Sequence, residues 1–197
     1  MTQIPDGFVE QQITDSISVK EAILADTELI AQIEEVAGLI IGTYRNDGKV
    51  LVAGNGGSAA DAQHIAAELV SRFTIDRPAL PAMALTTDTS ILTGIGNDYG
   101  FESLFSRQIE ASGRPGDAFI AISTSGNSPN IVRALATAGQ RGLVTIGLTG
   151  ATGGNMAALC RHCIRIPSTD TPRIQEGQIM IGHILCATTE RALFGAH

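Results

Sequence analysis

The chain has 197 residues, 44% of them hydrophobic and 17% charged, with a formal net charge of −7 at pH 7. That is enough chain for one well-buried core and too apolar a composition for a disordered polypeptide. The acidic balance disfavours a coat for nucleic acid or anionic membrane, and no apolar run approaches the roughly 20 residues that cross a bilayer.

Met1 to Glu10 carries Asp6 and Glu10, no basic residue and no apolar core, unlike a secretory leader. Two amphipathic helices are predicted next. Val9, Ile13 and Ile17 repeat every four residues, and Leu29, Ile33, Val36, Ile40 and Tyr44 at three and four. Asp26 or Thr27 suits the N-cap of the second helix, and Asn46-Asp47-Gly48 ends it. Both apolar stripes need a partner surface, which such helices often find in another subunit. After Gly48 the pattern alternates. Strands are predicted at Lys49 to Ala53, Ala82 to Thr86, Ala118 to Ser123, Val144 to Thr149 and Cys163 to Pro167. Helices are predicted at Ser58 to Phe73, Phe101 to Ala111, Ser128 to Arg141, Asn155 to Leu159 and Arg173 to Leu193. Short apolar strands between helices imply an α/β fold, a parallel sheet covered on both faces, with ligands at the carboxyl ends of the strands. No repeat or linker divides residues 1–197, so one domain is expected.

Gly54-Asn55-Gly56-Gly57-Ser58 joins the first strand to a helix carrying His64 and Glu68. Glycines admit a ligand to the backbone, and a helix N-terminus offers unpaired N–H groups to an anion. His64 and Glu68, four residues apart, project from one helix face. The loop also fits a dinucleotide pattern, with Asp88 as a late acidic residue, but no lysine follows as in a triphosphate-binding loop. Ser123-Thr124-Ser125-Gly126-Asn127-Ser128-Pro129 is a second candidate for a phosphate. Its hydroxyls gather at a helix start where Ser128 suits the N-cap and Pro129 the first turn. An ordinary serine-rich turn is the plain alternative. Two such loops on one edge of a parallel sheet favour the phosphate.

In the last helix, Gln175 and His183 are eight residues apart. Eight residues turn a helix through about 800°, leaving the two side chains only about 80° apart. With His64 and Glu68 they would supply two imidazoles, a carboxylate and an amide oxygen, a set that suits zinc or a similar ion. The plain alternative is surface histidines and a solvated glutamate. Gly177 and Gly182 inside that helix suggest close approach by another backbone or a ligand. Gly96-Asn97-Asp98-Tyr99-Gly100 reads as a turn whose polar pair could reach sugar hydroxyls. The three cysteines form no disulfide framework, which points to a reducing cytoplasm, and Cys160-Arg161-His162-Cys163 reads as buried or half-buried thiols rather than a zinc or redox site.

Gly54-Asn55-Gly56-Gly57-Ser58 with Asp61, His64 and Glu68 resembles the phosphoheptose isomerases of the sugar isomerase (SIS) superfamily. The stretches from Gly96 to Phe101, Ile122 to Ser128 and Arg173 to Glu176, with His183, match the same family in order. The resemblance covers nearly the whole chain. It implies an SIS-type three-layer sandwich with a five-stranded parallel sheet, and a cytoplasmic homotetramer with residues 1–47 packing at its centre. It implies conversion of sedoheptulose 7-phosphate to D-glycero-D-manno-heptose 7-phosphate through an enediol, toward activated heptose for surface glycans such as lipopolysaccharide. On that resemblance Asn55, Gly56, Gly57, Ser58, Asn97 and Asp98 contact substrate, while Ser123, Thr124, Ser125 and Ser128 take its phosphate. His64, Glu68, Gln175 and His183 hold one Zn2+ per subunit. Glu68 and His183 carry the acid/base roles, and Glu68 and Gln175 also touch substrate. Pro172, Gln178 and Ala59-Ala60 depart from common versions of the family. The rival readings are a sugar-phosphate sensor and a non-catalytic SIS protein that binds a replication initiator. Retention of both Glu68 and His183 favours the enzyme over either.

Overall fold

Five short parallel strands build the sheet: β1 (Val50–Ala53), β2 (Ala82–Ala84), β3 (Ala118–Ile122), β4 (Val144–Gly150) and β5 (His162–Ile166). They lie in the order β2-β1-β3-β4-β5, with Val52 opposite Ala84 on one side and Ile120 on the other. This is a computed structural model describing residues 5–195, so the first four residues of the stretch read as lacking a leader lie outside it.

The helices are α1 (Phe8–Ala25), α2 (Thr27–Arg45), α3 (Gly57–Val70), α4 (Thr89–Tyr99), α5 (Leu104–Ser112), α6 (Pro129–Gln140) and α7 (Thr171–Phe194). Alternation along β1 and β3 decides which helices cover which face. Val50, Val52, Ile120 and Ile122 face α2, α3 and α7, packing with Ile33, Val36, Ile40, Ile65 and Leu185. Leu51, Ala53, Phe119 and Ala121 face α5 and α6, packing with Phe105, Ile109, Ile131 and Leu135. The result is the expected three-layer α/β sandwich. Asp26 caps α2, accepting a hydrogen bond of 2.9 Å from the Leu29 N–H. At the amino ends of β1 and β3, the buried Asp117 carboxylate accepts from the Lys49 and Arg114 N–H groups and pairs with the Lys49 ammonium.

The chain runs outward from β1 to β2 and then returns to lay β3 on the other side of β1. The carboxyl ends of β1 and β3 therefore form the topological switch point, where a doubly wound sheet opens a crevice. The glycine loop follows β1 and the serine loop follows β3, so sheet order alone sets them side by side.

Three expectations change. Gly96 to Tyr99 is the last turn of α4, not a turn between elements, and Asp88 caps that helix through the Ile91 N–H. Asn155 to Leu159 is not a helix; only a 3-10 turn forms, at Gly154–Met156, directly after the left-handed Gly153. The glycines of α7 admit side chains rather than backbone. A Cβ at Gly182 would come within 2.7 Å of Ile65, and one at Gly177 within 2.7 Å of Ile166.

Val9, Ile13 and Ile17 of α1 stay exposed, whereas Leu29, Ile33, Val36 and Ile40 of α2 are buried against the sheet and α7. Among the described residues no helix is long and apolar enough to cross a membrane.

Candidate metal and acid–base site

The glycine loop is tight because its residues permit it. A Cβ at Gly54 would lie 2.4 Å from the Ser58 carbonyl oxygen, and Gly56 holds φ +55°. The turn delivers α3 with its first N–H groups facing the switch point. Gln175, on the second turn of α7, lies directly against that end of α3, with its Nε2 2.6 Å from where a Gly57 Cβ would stand.

Asn55 and Asn130 exchange two side-chain hydrogen bonds of 2.9 Å, tying the glycine loop to the first turn of α6. In the serine loop the Ser123 and Ser128 hydroxyls meet at 3.0 Å, and Ser125 Oγ accepts from the Asn127 N–H. Ser128 occupies the N-cap position of α6 but spends its hydroxyl on Ser123 rather than on the helix backbone. Gly126, at φ +67°, lets the loop press on Gly153 and Gly154. Thr124 and Ser125 line a cavity of about 200 Å³ with Thr152, Ser168 and Thr169.

About two turns further along α3 the chemistry concentrates. His64 Nε2 stands 3.1 Å from Glu68 Oε1 and 3.0 Å from His183 Nε2. The three donor atoms all lie within 4.8 Å of one another. Gly182 allows this, because α7 can then settle on Ile65 of α3, which brings the next residue, His183, across from His64. The two rings are 5.0 Å apart between centroids, and Phe73 closes the far side of His183 at 5.7 Å. At the Nε2–Nε2 contact one nitrogen must donate and the other accept, so no more than one carries a proton there.

The residues present fit a divalent ion. A tetrahedral zinc with bonds of about 2.0–2.1 Å sets neighbouring donors about 3.3 Å apart, close to the spacings found. Asp61, one turn before His64, adds negative charge. Burial raises its carboxyl above the ordinary range while the two imidazoles pull it back. Its Oδ2 is buried without a hydrogen-bond partner, a setting that favours a nearby cation.

Asn97 and Asp98 are not brought to this cluster. They are exposed on the last turn of α4 and hydrogen-bond to each other at 2.8 Å, and Asp98 lines a groove between α4 and α5. Among the described residues neither bonds to a site residue. Cys160 and Cys163 are half-buried free thiols, and among the described residues no metal-competent group of three donors includes them.

Sequence reasoning missed Asn130, Phe73, Arg77 and Glu190. Glu190 is the most surprising: its carboxylate is buried, accepting from the Phe73, Thr74 and Ile75 N–H groups, the Thr74 hydroxyl and Arg77. Burial pushes its carboxyl up, but these donors outweigh that and hold it at about 2. The available signal was its seven-residue spacing from His183, which puts both on one helix face.

The sequence profile of the SIS domain matches residues 16–150. The phosphoheptose isomerase of Aneurinibacillus thermoaerophilus is 63% identical over 189 residues, covering 96% of each chain. This chain belongs to the phosphoheptose isomerase family of SIS domain proteins. Phosphoheptose isomerase 2 of Campylobacter jejuni is 58% identical over 190 residues, 96% of this chain and 94% of that one. Among solved structures, the phosphoheptose isomerase of Neisseria gonorrhoeae superposes with a TM-score of 0.87 at 43% identity, covering 92% of this chain and 96% of that chain. The family's structure from Francisella tularensis gives 0.89 at 35% identity, covering 96% and 100%.

Proposed function

We infer that this phosphoheptose isomerase family member converts sedoheptulose 7-phosphate to D-glycero-D-manno-heptose 7-phosphate. The observation that carries the reading is the meeting of His64, Glu68 and His183 beside two anion-suited loops at the sheet's switch point. His64, Glu68, Gln175 and His183 would hold one Zn2+ per subunit. When bound, such an ion supplies Lewis-acid polarisation of the sugar's carbonyl and hydroxyl oxygens.

Moving the carbonyl from C2 to C1 removes a proton from C1 and adds one at C2, with an enediol between. Glu68 and His183 take these proton transfers. The hydroxyls of Ser123, Thr124, Ser125 and Ser128 and the N–H groups opening α6 bind the phosphate, which anchors the substrate's far end. Asn55, Gly56, Gly57 and Ser58 contact the sugar at the start of α3, and Gln175 meets it there. Anchoring both ends restricts the sugar to poses in which C1 and C2 face the acid/base pair, lowering the entropic part of the barrier.

Residues 1–47 pack at the centre of a homotetramer in this reading, and Asn97 and Asp98 reach sugar hydroxyls only in that assembly. The enzyme works in the cytoplasm, supplying heptose for activated nucleotide sugars and surface glycans, lipopolysaccharide among them. One SIS domain spans 1–197.

The test is direct. Purified protein is incubated with sedoheptulose 7-phosphate, with Zn2+ or with chelator, and the aldose is followed by NMR. The expected result is aldose formation that chelator stops and Zn2+ restores. No aldose at any metal loading would refute the activity, and chelator-insensitive turnover would refute the zinc.

A further inference from the structure

We propose that Arg77 and Glu190, a buried ion pair outside the donor cluster, are positioning residues that set the distance between His64 and His183 by pinning the end of α3 to α7. The inference rests on the reading of the cluster as a metal and acid–base site.

The two side chains are only 2% and 1% exposed, and Arg77 Nε stands 3.1 Å from Glu190 Oε2. The last carbonyls of a helix have no partner inside it. Arg77 takes two of them at the end of α3. Its Nη2 donates to the Glu68 carbonyl at 2.9 Å and its Nη1 to the Leu69 carbonyl at 2.7 Å. The guanidinium thus holds the main chain of the residue whose carboxylate sits in the cluster. Glu190 lies on α7 seven residues after His183, which is about 20° short of two full turns, so both look toward α3. A single bridge therefore joins the backbone of Glu68 to the helix of His183.

A second link runs through Phe73. Its N–H donates to Glu190 Oε2 at 2.8 Å, and its ring rests on His183. Thr74 and Ile75 donate to the other carboxylate oxygen at 2.6 and 2.7 Å, so the whole turn after α3 is wrapped around one anion. Buried ion pairs are poor devices for stability alone, since apolar residues of equal volume often do as well. What the pair does supply is directional bonding from one fixed point to α3, to α7 and to the ring that backs His183. Ligand atoms around a metal depend on such support, and its loss typically costs ten- to a hundred-fold in metal affinity or activity.

The experiment compares wild type, Glu190→Gln and Arg77→Lys with Asp117→Asn. Asp117 anchors the amino ends of β1 and β3, at the opposite end of the strands from the site. Lysine keeps the charge of Arg77 but cannot reach both carbonyls, so that variant keeps the fold even if Glu190→Gln does not. The chain has four histidines, which makes selective isotope labelling practical. Imidazole NMR spectra are recorded on metal-free protein, and Zn2+ affinity is measured by competition with a chromophoric chelator. Thermal midpoints and kcat and KM for sedoheptulose 7-phosphate complete the set.

Arg77→Lys and Glu190→Gln are expected to shift the His64 and His183 resonances and leave His162 in place. Zn2+ affinity should fall ten- to a hundred-fold with kcat, while KM changes less than about threefold. Asp117→Asn should lower the thermal midpoint and leave the imidazoles and Zn2+ affinity unchanged. Unmoved His64 and His183 resonances in folded Arg77→Lys would overturn the proposal, as would equal disturbance of the cluster by Asp117→Asn. If wild type fails to bind Zn2+, the metal reading falls, and the imidazole shifts alone decide the positioning role.

Discussion

At the scale of single residues, two glycines three positions apart have opposite sensitivities. A methyl at Gly54 would meet backbone, the Ser58 carbonyl, which cannot yield without opening the first turn of α3. Gly54→Ala is therefore expected to destabilise by about 2 kcal/mol or more, read as a fall in the denaturation midpoint. A methyl at Gly57 would meet the far end of the Gln175 side chain. That side chain can swing away, so Gly57→Ala should change stability by less than about 1 kcal/mol. It should nevertheless cut turnover at least about tenfold, because Gln175 leaves the place where it is proposed to meet substrate. Equal turnover in the two proteins would remove Gln175 from the site. Glu68→Gln is the sharper probe of chemistry. Amide replaces acid with little change of shape, so the fold should survive while kcat drops by about 100-fold or more, the usual scale for a lost general acid or base. Near wild-type kcat would dismiss Glu68 from proton transfer. His64 and Glu68 were legible as a pair because four residues on a helix fix a common face. Their meeting with His183 was legible only through the family resemblance, since spacing along α7 says which way a side chain faces and nothing about which helix it faces.

Among the elements, legibility followed periodicity. The strands and α2, α3, α6 and α7 announced themselves through apolar repeats and caps, and each formed within a few residues of expectation. α4 was hidden because Gly94 and Gly96 weaken its pattern and Asn97-Asp98 imitates a turn, although Asp88 stood ready as its cap. The Asn155 to Leu159 segment failed in the other direction, its apolar residues suggesting a helix where only a 3-10 turn forms behind two left-handed glycines. Caps show what element ends are worth. Removing the Asp26 carboxylate by Asp26→Ala should cost about 1 kcal/mol and lower the thermal midpoint by about 2–4 °C. The join between α7 and the turn after α3 adds a pH dependence of definite sign. The folded Glu190 carboxyl titrates at about 2, below its ordinary value of 4.5. Its stabilisation is therefore fully present above that ordinary value and drains away as pH falls from about 4.5 toward 2. Urea midpoints across that interval should fall more steeply for wild type than for Glu190→Gln, which has no carboxyl there to protonate. Parallel curves would show that Glu190 is not held as a buried anion.

For the whole molecule, the open question is what covers α1. Ile13 and Ile17 are 57% and 49% exposed in the single chain, and with Val9 they form one outward stripe. Burying such side chains is worth about 1.5–3 kcal/mol each, so an unpartnered stripe is a strong drive to associate. A second copy of the same helix offers a matching surface, and closed symmetric assemblies are the usual outcome. Within the chain α1 gives the core only Ile23, with Val19 packed beside it, so its outward stripe is left for another surface. It also bears on the active site. Asn97 and Asp98 stand apart from the donor cluster within one chain, so the proposed contact of this pair with sugar requires assembly. The double substitution Ile13→Glu with Ile17→Glu places charge on the stripe without touching the core. Sedimentation should show the proposed tetramer breaking into smaller species, with the circular dichroism of the α/β core retained. Turnover should fall through a rise in KM, while Zn2+ affinity holds within about threefold, because the cluster lies within one chain. An unchanged sedimentation coefficient would mean that α1 does not form the interface. Dissociation with full activity would mean that each chain completes its own site.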